Sequence, residues 1–371
     1  MLSVFISLAA ALQQPHYREA DQLKTLLANG SVVYCEKRDA PYVSVQLILN
    51  NRDTLDQPST YGYRHLIEHI AARAVKGQDF EVETAGGYIL ASTSRDWMRF
   101  EWRVPPEKLS LAFKGMEGIL NDCGATEAAI KRETVAISHE LDLLTSSEKE
   151  SITAWKDVYG AAGIDPLGSK DSVVTAKPED LQAIWHKMTR ASNVVISACG
   201  PLDKYTFTTS AKEVLSGLYS STQSPLPSRP IDGSYGDGNV VAVPIQPITS
   251  KAGANSLVAA FGLAGRLNRP YLIYTPSERY GLAIVGSYDP YESIKTVADG
   301  EDPAIIFILG RLNALAWLDS KLSTPEGTAE LNGTLLSISP SLRPSKIAEN
   351  IVYASFDDFK QTWNLIKGVA K

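Results

Sequence analysis

Apolar and polar positions alternate most clearly at two places in this chain. Val43, Val45, Leu47 and Leu49 are interleaved with Ser44 and Gln46, and Met98, Phe100, Trp102 and Val104 with Arg99, Glu101 and Arg103. A period of two sends successive side chains to opposite faces, so both stretches predict strands with one buried face. Upstream, Asn29-Gly30 lies between two short apolar runs within residues 23–34 and predicts a tight turn joining two strands. Gly86-Gly87 predicts a bend that leads into a strand, and residues 193–199 a strand that closes on Gly200.

Helical spacing appears elsewhere. Ile130, Ile137, Leu141 and Leu144 trace one stripe through residues 126–147, and residues 105–120 and 178–188 also read as helices. A polar stretch at 50–60, with Asp53, Asp56, Pro58 and Ser59, marks a break before a helix over 61–74. Residues 220–238 are rich in Ser, Pro, Gly and Asp without a periodic apolar pattern, which predicts an interdomain linker. Beyond it, residues 256–261 and 331–339 look strand-like, and residues 303–318 helical.

Composition narrows the class. With 371 residues, 44% hydrophobic and 21% charged, the chain is globular and long enough for two cores. A net charge of −6 argues against nucleic acid or an anionic membrane surface as partner. Cys35, Cys123 and Cys199 are scattered, and their odd number argues against a disulfide scaffold. The apolar run at residues 1–12 before Gln13-Gln14-Pro15 has the shape of a secretory h-region, although no Lys or Arg precedes it. It predicts a signal peptide over 1–15 and a periplasmic or secreted protein; the alternative is a buried N-terminal segment in a cytoplasmic one. No other segment reads as a transmembrane helix.

The chemistry concentrates in residues 61–74, Tyr-Gly-Tyr-Arg-His-Leu-Ile-Glu-His-Ile-Ala-Ala-Arg-Ala. On a helix, His65 and His69 project from one face one turn apart, a separation suited to gripping one metal ion. Glu68 lies on nearly the same face, where a carboxylate serves to take a proton from a water activated by the metal. A catalytic zinc wants a third protein ligand. Glu133 and Glu140 lie on or beside the apolar stripe of residues 126–147, seven apart, where they either bind a cation or merely flank the core and reach water. His139 adjoins Glu140 but points elsewhere on a helix, and stands as a weaker rival ligand.

Taken together, the His-x-x-Glu-His order and the later pair of glutamates resemble the pitrilysin-type zinc metallopeptidases, which include mitochondrial processing peptidase and many bacterial processing proteases. The resemblance covers roughly residues 23 to 218. It implies His65, His69 and Glu140 as zinc ligands, Glu68 as general base, and Glu133 as an acid that orients a ligand or helps to activate the water. It implies an α+β fold of two domains, each a largely antiparallel sheet with helices packed on one face. The first, zinc-bearing domain would span 16–219, and a shortened, metal-free copy 239–371.

In that family the strand after the double glycine is an exposed edge to which substrate adds, so the resemblance implies Leu90, Ala91, Ser92 and Thr93 as substrate-binding residues. Leu90 stands where the family usually has an asparagine, and read by itself the stretch is an ordinary core strand. Family members carry an Arg and Tyr pair in the second half. Arg266, Arg269, Tyr271 and Tyr274 lie in that neighbourhood without the usual spacing, so the role is not assigned to them. The implied function is zinc-dependent hydrolysis of short or unfolded peptides, by the zinc-bearing subunit of a homodimer or of a heterodimer whose partner supplies the Arg/Tyr pair. A non-catalytic structural subunit, and a metal-binding protein without hydrolysis, are the alternatives.

Overall fold

The computed structural model describes residues 21–52, 56–74, 78–289 and 293–369. The expected signal segment at 1–15 lies outside them. The first half contains strands β1 (Asp21–Leu26), β2 (Val32–Lys37) and β3 (Val43–Asn50), helices α1 (Tyr63–Ala74) and α2 (Gln78–Thr84), and strands β4 (Tyr88–Thr93) and β5 (Trp97–Val104). Helices α3 (Leu109–Asn121), α4 (Glu127–Leu143), α5 (Ser146–Tyr159), α6 (Lys170–Val173) and α7 (Pro178–Met188) follow, then β6 (Val194–Gly200) and α8 (Lys204–Leu215). The sheet runs β1-β2-β6-β3-β5-β4, and every neighbouring pair is antiparallel except β2 with β6. The Asn29-Gly30 turn, the two alternating strands and the helix at Pro178–Met188 stand where the pattern predicted them.

Residues 219–235 form no helix or strand. The second half then contains β7 (Val240–Ile245), α9 (Lys251–Ala264), β8 (Pro270–Tyr274), β9 (Gly281–Ser287), α10 (Ile294–Gly300), α11 (Pro303–Leu322), α12 (Pro325–Ile338), α13 (Pro344–Val352) and α14 (Phe356–Val369). Its sheet is antiparallel with order β7-β9-β8. Residues 256–261 and 331–339, which look strand-like, belong to the helical segments of α9 and α12, with Ser339 just beyond the latter. Ser250 caps α9 by accepting from Gly253 N, and Thr324 with Pro325 starts α12. Both helices are buried along nearly their whole length, and a helix enclosed on all sides has no polar stripe to betray its period.

α11 is longer than its pattern predicted and, by length and composition, is apolar enough to cross a membrane. Here it packs against α9 and α12–α14 and buries Ile306, Phe307, Gly310, Ala314 and Leu318 in the second core.

Each half keeps its own helices on one face of its sheet and borrows a helix from the other half for the second face. Val43, Val45, Leu47 and Leu49 face the core beneath α1, α3 and α7, together with Phe100, Trp102 and Val104. The opposite residues of β3 and β5 meet α12. Ile48 clusters with Leu336, Gln46 and Asn50 donate to Glu326 O and Ser337 O, and Arg99 and Arg103 pair with Glu330 and Glu326. This second cover is why all of β3 is buried, its polar alternates included. Reciprocally, Ala154, Trp155, Val158 and Tyr159 of α5 pack on Val240, Ala242, Leu282 and Ile284 of the second sheet. Without α12 on that face of the sheet, Gln46 and Asn50 would lie in water; covered, their amide N–H groups need the α12 carbonyls they reach.

Candidate metal centre

α1 enters through Gly62, whose φ of 82° is open to glycine at little cost. The helix lies between β4, α4 and α7 and buries Tyr63, Leu66, Ile67, Ile70 and Ala71. Its remaining face carries His65, Glu68 and His69. The two imidazoles meet edge to face with centroids 4.7 Å apart, and their Nε2 atoms stand 3.1 Å from each other. From α4, whose N-terminus is capped by Thr126, Glu140 brings Oε2 to 3.3 Å from both Nε2 atoms. Among the described residues these three side chains form the group able to hold a metal ion.

His65 Nδ1 lies 3.1 Å from the Leu167 carbonyl, which can only accept, so in the neutral ring that contact assigns the proton to Nδ1 and leaves a lone pair on Nε2. His69 directs Nδ1 toward Glu133, 3.6 Å away. Three electron-rich atoms therefore crowd within 3.1–3.3 Å of one another. Tetrahedral bonds of roughly 2.0–2.1 Å separate neighbouring ligand atoms by about 3.3 Å, so the donor set and its spacing fit zinc.

Electrostatics around the group are uneven. Burial pulls the His65 imidazole down, but the Glu140 carboxylate, Glu68 and the Leu167 carbonyl outweigh it and hold the ring above its ordinary value. The contact with His65 first, and then His69, favours the charged carboxylate and holds Glu140 below the usual carboxylate range, against the pull of its partial burial. Burial pushes Glu68 above that range despite the two imidazoles. Glu68 is 8% exposed and accepts from the Thr93 hydroxyl at 3.0 Å. Glu133 is fully buried: Arg132 Nε donates to its Oε1 at 2.6 Å, and Arg73 Nε lies 3.4 Å from Oε2.

All five predicted centre residues thus come together, while His139 stays on the exposed side of α4 and outside the group. Leu90, Ala91, Ser92 and Thr93 lie on β4, which ends the sheet; Leu90 is exposed, and Ile89 and Ala91 turn to the core. Three of the four second-half candidates are engaged elsewhere. Arg266 pairs with Glu301, Tyr271 donates to Glu150, Tyr274 packs on Trp317, and Arg269 occupies a positive φ of 47° before β8. The pattern of residues did not expose Thr93 as the partner of Glu68, Arg73 and Arg132 as the cover of Glu133, or the Leu167 carbonyl behind His65. Arg73, one turn beyond His69, was the available signal for the second of these.

No family model matches the sequence. A segment of 191 residues, 48% of the chain, is 25% identical to the mitochondrial-processing peptidase subunit beta of Blastocladiella emersonii and covers 41% of that protein. Over 188 residues, 47% of the chain, it is 27% identical to the probable mitochondrial-processing peptidase subunit beta of Arabidopsis thaliana, covering 35% of it. The match therefore spans less than half the length of these relatives. In fold, the chain is similar to a protease from Helicobacter pylori, with a TM-score of 0.74 at 14% identity over 93% of this chain and 96% of that one. An M16-like peptidase from Alicyclobacillus acidocaldarius gives the same TM-score and identity over 93% and 95% of the two chains. Sequence and architecture point the same way: over about half its length the chain is similar to mitochondrial-processing peptidase subunits, and over nearly all of it the fold is that of M16-like peptidases.

Proposed function

We propose that this chain is a zinc-dependent endopeptidase that cleaves short or unfolded peptides, with His65, His69 and Glu140 holding the metal. The observation that carries this reading is the convergence of three donor atoms within 3.1–3.3 Å beside a buried carboxylate, Glu68. Zinc, when bound in such a site, polarises the scissile carbonyl and makes water a stronger acid. Glu68 takes the proton from the attacking water and returns it to the leaving amine. With one oxygen occupied by Thr93, it has the other available for that transfer. Glu133 holds His69 from behind, as carboxylates commonly do for ligating imidazoles.

β4 supplies the place for the substrate. It ends the sheet, so an extended peptide can add alongside Leu90–Thr93 by main-chain hydrogen bonds, with Thr93 leading directly to Glu68. A folded protein cannot offer such a strand, which is the physical reason for short or unfolded substrates. Because the relatives are named as subunits, and Arg266, Tyr271 and Tyr274 are engaged away from the centre, we propose a second copy or a related subunit as the source of the Arg/Tyr pair. Export by residues 1–15 belongs to the same proposal.

The test is digestion of an unstructured peptide library by the full chain, alone and with its copurifying partner, with and without chelator. Glu68→Gln is expected to keep about one zinc per chain and to lose on the order of 10²–10⁴ in rate. Cleavage retained in that variant, or insensitive to chelator, overturns the reading.

A further inference from the structure

His65 is held from behind by backbone, and that backbone is held in turn. The Leu167 carbonyl accepts from His65 Nδ1, while the Leu167 N–H donates to Asp165 Oδ1 at 3.0 Å. Asp165 is 8% exposed, and its other oxygen pairs with the Arg95 guanidinium. Arg95 also donates through Nε to the Gly163 carbonyl at 3.3 Å and lies over the Trp155 ring, 4.2 Å from its centroid. One guanidinium therefore grips the turn 163–167 at two points.

The far end of the same turn is pressed onto the start of α1. Gly62 and Gly168 both have φ of 82° and meet back to back: a Cβ added to either would fall within 2.5–2.6 Å of the other's Cα. The Leu167 carbonyl is thus located relative to α1 by that close approach and relative to β4–β5 by Arg95, which stands in the turn between those strands. Arg95 follows Thr93, the partner of Glu68, and Ser94, whose carbonyl accepts from Arg64 of α1 at 2.9 Å.

We propose that Asp165 and Arg95 are positioning residues for the metal centre: by fixing the Leu167 carbonyl they set the tautomer and ring orientation of His65. Neither side chain is part of the donor group, so the effect passes through the turn. The inference rests on the reading of the centre as a zinc site. A carbonyl free to swing away would let the His65 proton move to Nε2 and the ring rotate, and either change removes a metal-directed lone pair.

The experiment measures zinc affinity of the full chain by competition with a chelator, and the visible spectrum of the cobalt-substituted protein, for the native sequence, Asp165→Ala, Asp165→Asn, Arg95→Gln and Arg95→Lys. Circular dichroism restricts the comparison to folded protein. Asp165→Ala is expected to weaken zinc binding on the order of 10–100-fold and to alter the cobalt spectrum. Asp165→Asn and Arg95→Gln should lose less, since each keeps some of the contacts, and Arg95→Lys less again. If Asp165→Ala does not fold, the Asn and Lys variants carry the comparison. Native affinity and a native cobalt spectrum in the folded variants overturn the assignment alone. A native chain that binds no zinc overturns the reading of the centre, and this assignment with it.

Discussion

The Thr93 hydroxyl, on the edge strand of the first sheet, donates to Glu68 Oε2 on the histidine helix across 3.0 Å. The residue at the end of the proposed substrate strand thus also aims the proposed base, so peptide placement and proton transfer share one contact. Replacing Thr93 by Val keeps the β-branched shape and removes the donor. A hydrogen bond to a charged group contributes roughly 1.5 kcal/mol, about tenfold in rate. Thr93→Val should therefore lower kcat about tenfold with KM little changed, while Thr93→Ser stays near native. Equal kcat values for the Val and native chains would detach Thr93 from the reaction.

Glu133 presents a different case, because its cationic neighbours are on the surface. The Arg73 and Arg132 side chains are each 55% exposed, so both can turn to water if the carboxylate is removed. The penalty of stranding a buried charge is then avoided, and Leu can fill the vacated space. What Glu133→Leu loses is the acceptor 3.6 Å from His69 Nδ1. Zinc affinity should fall on the order of 10–100-fold with little loss in urea midpoint. Competition titration and urea unfolding on the same preparation separate the two effects, and unchanged zinc affinity would remove Glu133 from the centre.

The residues that carry side-chain chemistry were legible in the sequence, because their spacing is set by helix geometry: His65, Glu68 and His69 within one turn, and Glu133 and Glu140 two turns apart. The groups that hold them were not. Leu167 acts through its carbonyl, which any residue possesses, and Arg73 and Arg132, which cover Glu133, read in sequence as ordinary surface cations. Alternation located β3 and β5 but left Ser44 and Gln46 on the polar face of a half-buried strand, since the α12 helix that meets Gln46 comes from 280 residues onward. α9 and α12 failed for the opposite reason, having no solvent face to give them a period.

Gly62 offers a backbone test of the same region. Alanine there meets a φ of 82°, which costs an L-residue roughly 1–2 kcal/mol, and its methyl would collide with the Gly168 Cα at 2.6 Å. Backbone opposing backbone has no rotamer by which to yield. Gly62→Ala should destabilise by at least about 2 kcal/mol, a loss visible as a lower urea midpoint. A midpoint equal to native would mean that the two segments separate easily, contrary to the close approach.

Between the halves, Asp96 stands at the end of the β4–β5 turn and is held by Arg229 at 2.8 Å, Arg279 at 3.0 Å and the Ser277 hydroxyl. Burial pushes its carboxyl up, but the two guanidinium groups and the hydroxyl outweigh that and hold it well below the usual carboxylate range. An acid whose folded value lies below its unfolded value of about 3.9 stabilises the fold fully above that pH. The contribution is lost as pH falls through the unfolded value toward the folded one, because the unfolded chain then binds a proton that the folded chain refuses. Asp96→Asn removes this dependence and leaves two buried cations unpaired, at a cost on the order of 3–5 kcal/mol near neutral pH. Urea midpoints measured from pH 7 down to pH 3 should therefore start lower in the variant and fall less steeply below about pH 4 than in the native chain. Parallel curves would show that the ion pairs joining the halves contribute no acid sensitivity, and that Asp96 titrates alike in the folded and unfolded chains.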